Sequence, residues 1–367
     1  MTGKRLLMSV CLGVALVFAL GAVASATPPE IVKKYGLIER THGLMMHTPQ
    51  KKGYKKAPPY IVGFSDIGVF NSWRQQTTRE VESAVGQHKD LIKEYIKTDA
   101  NGAIPKQIAD IQDLMAKGVD ILIVTPASPT ALNPVLEKAY KAGIMVVVFN
   151  SNTTTENVSA KLFINQWEFG RHGGEWLVKA LGGKGKVVAL SGLAGNSISE
   201  LRFGGAKWVF DQHPGIEVVG RAYGNWAYDK GKVAMENLMS AHPQIDGIWS
   251  GGGAMTRGAI DAYLEAGRKL VPMTGEANNG FLRQWKELAP KGFDSVAPVE
   301  PTWQGAMALE IGLAARMGLP YYKYNNVPSF VVTKENMDQV YRPDLDDFLW
   351  LDYHLTEEML QKYYKRK

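Results

Sequence analysis

A chain of 367 residues with 45% hydrophobic and 21% charged side chains can bury one large or two medium cores, which excludes a disordered or fibrous protein. Its one cysteine excludes an internal disulfide and a cysteine-held zinc or iron–sulfur centre. The formal charge of +6 would point to a polyanionic partner only if the basic residues sat on the folded body.

They sit at the ends. Lys4 and Arg5 precede an apolar run at 6–20, and Ala24, Ser25 and Ala26 give the small-x-small pattern of an export signal cleaved after Ala26. A single membrane anchor is the alternative, but the run is shorter than the ~20 residues a bilayer requires. Cys11 has no small residue just before it, which argues against a lipoprotein anchor. Export to the periplasm with residues 1–26 removed is the expectation, and it leaves no cysteine. Residues 27–57 form a basic arm with seven basic against two acidic residues and a short helical stretch near 31–38. With +2 on the leader, +5 on this arm and +4 on residues 361–367, the stretch 58–360 is left at −5. The folded body is therefore acidic, and nucleic acid is not an expected partner. At most, the basic ends would brush an anionic membrane surface.

From residue 60 a regular alternation begins. YIVGF at 60–64 reads as a buried strand, 65–72 as a loop, and a helix starts at Trp73. DILIV at 120–124 is the next strand, followed by a helix through Ala139, a stop at Lys141, Ala142 and Gly143, and the strand IMVVVF at 144–149. The second half repeats the pattern. Strands fall at 186–190, 216–219, 247–250 and 271–274, and helices at about 198–212, 229–240 and 255–266. Short apolar strands alternating with helices mean βαβ units on parallel sheets covered on both faces. The units at 120–150 and 246–276 match step for step, so two similar α/β lobes are the economical reading. A single doubly wound sheet is the alternative.

Ligands of open parallel sheets sit beyond the carboxyl ends of the strands. The residues there are Ser65, Asp66, Asn71, Trp73, Arg74, Thr125, Asn150, Ser151 and Asn152 in the first half. Asn196, Ser197, Arg202, Asn225, Trp226, Glu276, Asn278 and Asn279 follow in the second. Amide and guanidinium forks hold hydroxyl groups in fixed geometry, and indole faces cover the C–H patches of a sugar or polyol. Trp176, Trp208 and Trp249 lie inside elements and read as core, whereas Trp73 and Trp226 suit either core or site. Arg74, near a helix start, is at the wrong end of the dipole for a cation, which points to a specific partner.

The glycine loops at 192–195 and 251–253 resemble anion cradles but lack both nucleotide-binding spacings, and a tight strand-to-helix turn explains them as well. No G-x-S-x-G, H-E-x-x-H or C-x-x-C motif occurs, and the acidic pairs Asp346–Asp347 and Glu357–Glu358 read as a solvated face. No metal or cofactor is expected.

The ordered motifs VGFSDIG at 62–68 with Trp73 and Arg74, QIADIQ at 107–112 with GVDIL at 118–122, LSGLAGNS at 190–197 with Arg202, and NLMSAHP at 237–243 resemble the periplasmic sugar-binding proteins of ABC transporters. The resemblance is strongest to the ribose- and galactofuranose-binding group. It implies the type I periplasmic binding protein fold: two Rossmann-like lobes, each a parallel sheet flanked by helices, joined by a three-segment hinge. The crossings are then expected near Asn165, 296–301 and 327–331. They would give a first lobe of 58–165 plus about 299–328, a second of 166–298 plus about 329–340, and a C-terminal extension at 341–367 without an assigned role.

By the same resemblance Trp73, Arg74, Arg202 and Trp226 match ligand-contacting positions, and Trp303 and Gln304, just past the second crossing, are expected to reach the cleft. Asn150 with Ser151 stands where many members carry Asp-Arg, Glu276 where they carry Asp, and Gly252 with Gly253 where they carry Asn-Asp. The ligand of any one relative is therefore not transferable. The candidate binding set is Trp73, Arg74, Asn150, Asn196, Arg202, Trp226, Glu276, Asn278 and Trp303. The expected role is capture of a sugar, polyol or related hydroxylated compound by hinge closure, without turnover, by a monomer that delivers it to the permease of an ABC importer. The alternatives are presentation of the ligand to a chemoreceptor or sensor kinase, and a secreted carbohydrate-active enzyme built on Glu276 and Glu300.

Overall fold

The computed structural model describes residues 46–47, 55–327 and 329–366. The leader, most of the basic arm and the helical stretch expected near 31–38 lie outside these residues. The first sheet contains β2 (Tyr60–Asp66), β3 (Ile92–Asp99), β4 (Ile121–Val124), β5 (Met145–Phe149) and β6 (Ala160–Phe163), with a late strand, β12 (Tyr324–Asn326). Their order is β12-β6-β5-β4-β2-β3, all parallel. The two central strands β4 and β5 are buried along their whole length, as a sheet covered on both faces requires. One face is covered by α1 (Ser72–Gln87) and α9 (Gln304–Arg316), the other by α2 (Ile104–Ala116) and α3 (Asn133–Lys141). A short pair, β1 (Met46–His47) with β11 (Tyr321–Tyr322), runs antiparallel beside it.

The second sheet is built from β7 (Gly185–Ser191), β8 (Ile216–Tyr223) and β9 (Gly247–Ser250), in the parallel order β8-β7-β9. It is flanked by α4 (Gln166–Ala180), α5 (Ser197–Asp211), α6 (Tyr228–Ala241), α7 (Gly253–Glu265) and α8 (Asn279–Leu288). Helices α4 and α5 touch backbone to backbone: a Cβ on Gly170 would lie 1.7 Å from the Arg202 carbonyl oxygen, and one on Gly205 would lie 2.0 Å from that of Trp167. Only glycine permits this approach, which brings Arg202 against the start of α4.

The chain passes between the sheets three times. It leaves β6 for α4 through Ile164 and Asn165, returns from β10 (Ala297–Pro298) to α9 through 299–303, and leaves β12 for β13 (Val331–Val332). Asn165 caps α4 by accepting a bond from the Glu168 N–H, which ends the first crossing at a fixed residue. After α10 (Met337–Val340) the chain runs through 341–356 into α11 (Glu357–Tyr364).

Some expected elements differ. The strand at 271–274 is reduced to one bridge, Ile248 with Met273, because Pro272 has no N–H to give the ladder. Strands β3 and β6 have no counterpart in the sequence reading. Strand β3 is a half-exposed edge without an apolar run, and β6 carries Lys161, whose ammonium is buried against the Thr153 carbonyl and the Glu156 carboxylate.

Candidate functional site

The strand ends of both lobes feed one buried polar network. Asp66, the last residue of β2, accepts bonds from Arg74 Nη1 at 3.0 Å and from the Thr125 hydroxyl at 2.8 Å. Asn71 caps α1 through the Arg74 N–H, so Arg74 projects from the first turn of that helix. Its Nη2 donates to Asn150 Oδ1 at 3.4 Å. Asn150 follows β5 at φ 62°, a left-handed conformation that asparagine tolerates better than most residues. Its Nδ2 passes the network on to Glu300 Oε1 at 3.0 Å.

Glu300 lies in the second crossing and joins the two lobes. Its Oε1 also accepts from Gln304 Nε2 at 2.6 Å, and its Oε2 accepts from Gln166 Nε2 at 2.8 Å and Arg202 Nη2 at 2.9 Å. Arg202 is fully committed as well. Its Nε donates to Gln166 Oε1 at 2.8 Å, and its Nη1 to the Gly251 carbonyl at 2.7 Å and to Glu276 Oε1 at 3.0 Å. Its guanidinium carbon lies 3.6 Å from the centre of the Phe169 ring. Arg74, Arg202, Glu276 and Glu300 are each at most 4% exposed.

Charges this deep persist because each is paired and hydrogen-bonded, and removing one partner strands the other. Burial pushes the Glu276 carboxyl up to about 7, against the opposing pull of Arg202 and with help from the nearby Glu300. Burial also draws the Arg74 guanidinium down, while Asp66 opposes it.

Two indoles border the network. Trp73 donates its Nε1–H to the Glu300 carbonyl at 2.9 Å. Trp226 follows Asn225, and both have positive φ, 53° and 51°. For a bulky residue that conformation costs ~1–3 kcal/mol and is kept where surrounding structure enforces it. Here the enforcement is visible: a Cβ on Gly192 would lie 2.0 Å from the Trp226 ring and one on Gly252 would lie 2.8 Å from it. The glycine loops after β7 and β9 seat an indole, which accounts for them without a phosphate. A cavity of about 30 Å³ opens beside the network, bordered by Asn152, Gln166, Ser197 and Asn326 among others. It has room for about two waters.

Of the expected set, the fold brings Arg74, Asn150, Arg202 and Glu276 into contact through shared partners, with Trp73 and Trp226 at the margin. Three are held elsewhere. Asn196 caps α5 through the Ile198 N–H, and Asn278 caps α8 and donates to the Leu349 carbonyl. Trp303 stacks on His354 of the C-terminal segment, with ring centres 4.9 Å apart. Gln166 was missed by sequence reasoning. Its signal is position, directly after the first crossing, where a side chain necessarily faces both lobes. Gln304, expected with Trp303 to reach the cleft, joins the network through Glu300, whereas Glu300 itself is expected only as a carboxylate of the enzyme alternative. Among the described residues no group of three or more His, Cys, Asp or Glu is placed to hold a metal ion.

Two α/β lobes joined by three crossings, with polar strand ends meeting in one junction, have the architecture of a two-lobed binding protein. The sequence model described as "Periplasmic binding protein domain" matches residues 62–318, and the chain belongs to that family. The xylitol-binding protein of Mycolicibacterium smegmatis is 29% identical over 54% of this chain and 60% of its own length. The ribose import binding protein of Bacillus subtilis is 25% identical over 71% of this chain and 83% of its own. Among solved structures, the fructose-binding periplasmic domain of a hybrid two-component system superposes with a TM-score of 0.69 at 24% identity, covering 76% of this chain and 92% of that one.

Proposed function

We propose that the protein is exported to the periplasm, binds a sugar, polyol or related hydroxylated compound at the junction of its lobes, and delivers it as a monomer to the permease of an ABC importer. The observation that carries this reading is the Asp66–Arg74–Asn150–Glu300–Arg202–Glu276 network, in which forks from both lobes converge on one buried point between two indoles. Planar donors and carboxylate acceptors in this arrangement suit ligand hydroxyls, which both donate and accept. The sugar and polyol binders among the relatives support the same class. Because donors come from both sides, a ligand held by all of them stabilises the shut arrangement, and the shut arrangement is what a permease can recognise. Presentation to a sensor kinase would use the same fold, and a hybrid two-component system carries such a domain.

A thermal-shift screen across pentoses, hexoses, polyols, inositols and amino sugars tests the reading. A binder is expected to raise the melting temperature in proportion to RT ln(1 + [L]/Kd), with no product formed from glycosides. Turnover of a glycoside that is lost in Glu276→Gln would transfer the site to catalysis.

A further inference from the structure

The three hinge crossings are not the only connection between the lobes. Residues 341–366 leave the second lobe and fasten to both. On the second lobe, Asn279 Nδ2 donates to the carbonyls of Arg342, Leu345 and Asp346 at 2.8, 3.0 and 3.0 Å. Asn278 Nδ2 reaches the Leu349 carbonyl at 3.1 Å, and Asp347 pairs with Arg257 at 2.5 Å and with Arg283. On the first lobe, the main chain of Trp350 forms a reciprocal pair with the Gln76 amide of α1, N–H to Oε1 at 2.8 Å and C=O from Nε2 at 2.9 Å. The Trp350 indole N–H bonds to the Ser72 hydroxyl at 2.8 Å, the His354 N–H bonds to Glu80, and Arg79 donates to the Tyr364 hydroxyl. The Trp350 ring is buried against Trp73 of one lobe and Ala254 of the other. Leu345, Leu349, Leu355, Leu360 and Tyr364 give the segment a small apolar core of its own.

We infer that residues 341–366 form a latch that holds the cleft shut: the segment is anchored on the second lobe and docked on α1 of the first. Rotation about the hinge separates α1 from α7 and α8, and no such rotation preserves both sets of bonds. The anchor is the stronger side, with three Asn279 bonds and a doubly paired Asp347, so opening releases the α1 side at Gln76 and Ser72. Bonds present only in the shut arrangement raise its population, and a ligand that requires that arrangement then binds with Kd equal to the intrinsic value divided by the shut fraction. The latch thus tightens binding and slows release without touching the ligand. Trp350 and Gln76 also fix the first turn of α1, from which Trp73 and Arg74 project, so they are positioning residues. The inference rests on the hinge-closing reading given above, and its conformational part can be tested without any ligand.

The test uses the full mature chain, the variant Gln76→Ala, and a chain stopped after Val340, each checked for folding by circular dichroism. Small-angle scattering of the ligand-free wild type is expected to fit the shut arrangement, with a larger radius of gyration for both variants. With a saturating panel compound, such as D-ribose, xylitol or myo-inositol, Gln76→Ala is expected to return to the wild-type profile and to release that compound about tenfold faster, the size of change expected when a pair of buried hydrogen bonds is lost. Superposable ligand-free profiles for all three proteins would overturn the latch. So would variants that bind faster and more tightly than wild type, since the segment would then obstruct the cleft. If no panel compound binds, the sugar reading fails while scattering still decides the latch.

Discussion

The lobes of this protein meet in two places built from different materials. At the cleft they meet mainly through side-chain forks: Arg74, Asn150, Glu300, Gln166 and Arg202 exchange side-chain bonds, with main-chain acceptors at Gly251 for Arg202 and at Glu300 for Trp73. At the C-terminal segment they meet largely through main chain, with Gln76 reading both polar groups of Trp350 and Asn279 reading the carbonyls of Arg342, Leu345 and Asp346. Side-chain bonds can be exchanged one at a time for the hydroxyls of a ligand, because rotamers turn without moving an element. Main-chain bonds of a docked segment break together or not at all. The first junction is suited to recognition and the second to holding a position.

The largest expected effect comes from Arg202→Ala. It strands Glu276 and Glu300 without their shared cation, and breaking a buried pair in this way costs ~3–5 kcal/mol in stability. Ligand affinity should fall at least a hundredfold, read by calorimetric titration. Lysine should not restore it, because a point charge cannot replace the fork that spans Gln166, Gly251, Glu276 and Glu300. Trp226→Ala comes next: it empties the seat framed by Gly192 and Gly252 and should weaken binding about ten- to a hundredfold, with a loss of ~3 kcal/mol in denaturant unfolding. If Trp226→Ala binds as wild type, the indole is a structural wedge and the recognition junction is smaller than described.

A pH titration sharpens the contrast at lower amplitude. Burial raises the Glu276 carboxyl to about 7, from an ordinary value near 4.5. The folded protein therefore holds a proton that the unfolded chain has lost, and unfolding stability should fall as pH rises between about 4.5 and 7, then level off. Glu276→Gln should flatten its part of that slope, on the order of 1 kcal/mol or more across the window. Glu80, beneath the C-terminal segment, is also raised to about 7 by burial, with the Thr302 hydroxyl opposing, so the slope left in Glu276→Gln should shrink further in the double variant with Glu80→Gln. The smallest effect is expected of Asp347→Asn, whose pairs with Arg257 and Arg283 are partly exposed. A loss of about 1 kcal/mol at low salt, shrinking at high salt, would fit a pair of this kind.

The parts of the molecule readable from sequence are those where a single local signal decides. Runs such as 121–124 and 145–149 are apolar because both faces of their strands are covered, so they declare themselves as strands. Arg74 stood out because a cation in a first helical turn needs a partner, and Asp66 supplies it. Asn196 and Asn278 illustrate the opposite case. An asparagine before a helix can be a ligand fork or a cap, and only the orientation of its side chain, here toward the Ile198 and Phe281 N–H groups, separates the two. Gln166 and Glu300 escaped as members of the site because their role depends on where crossings run in space. The acidic pair at 346–347 looked like a solvated face, yet Asp347 anchors the C-terminal segment through two arginines that are 90 and 64 residues away in the chain.

The most direct test of the central claim is a calorimetric titration of whichever panel compound gives the largest thermal shift, performed on wild type, Arg202→Ala and Trp226→Ala. The account predicts saturable one-to-one binding to wild type and at least a hundredfold loss in Arg202→Ala, with Trp226→Ala in between. Binding of the same compound with unchanged affinity in both variants would place its site away from the lobe junction and contradict the account.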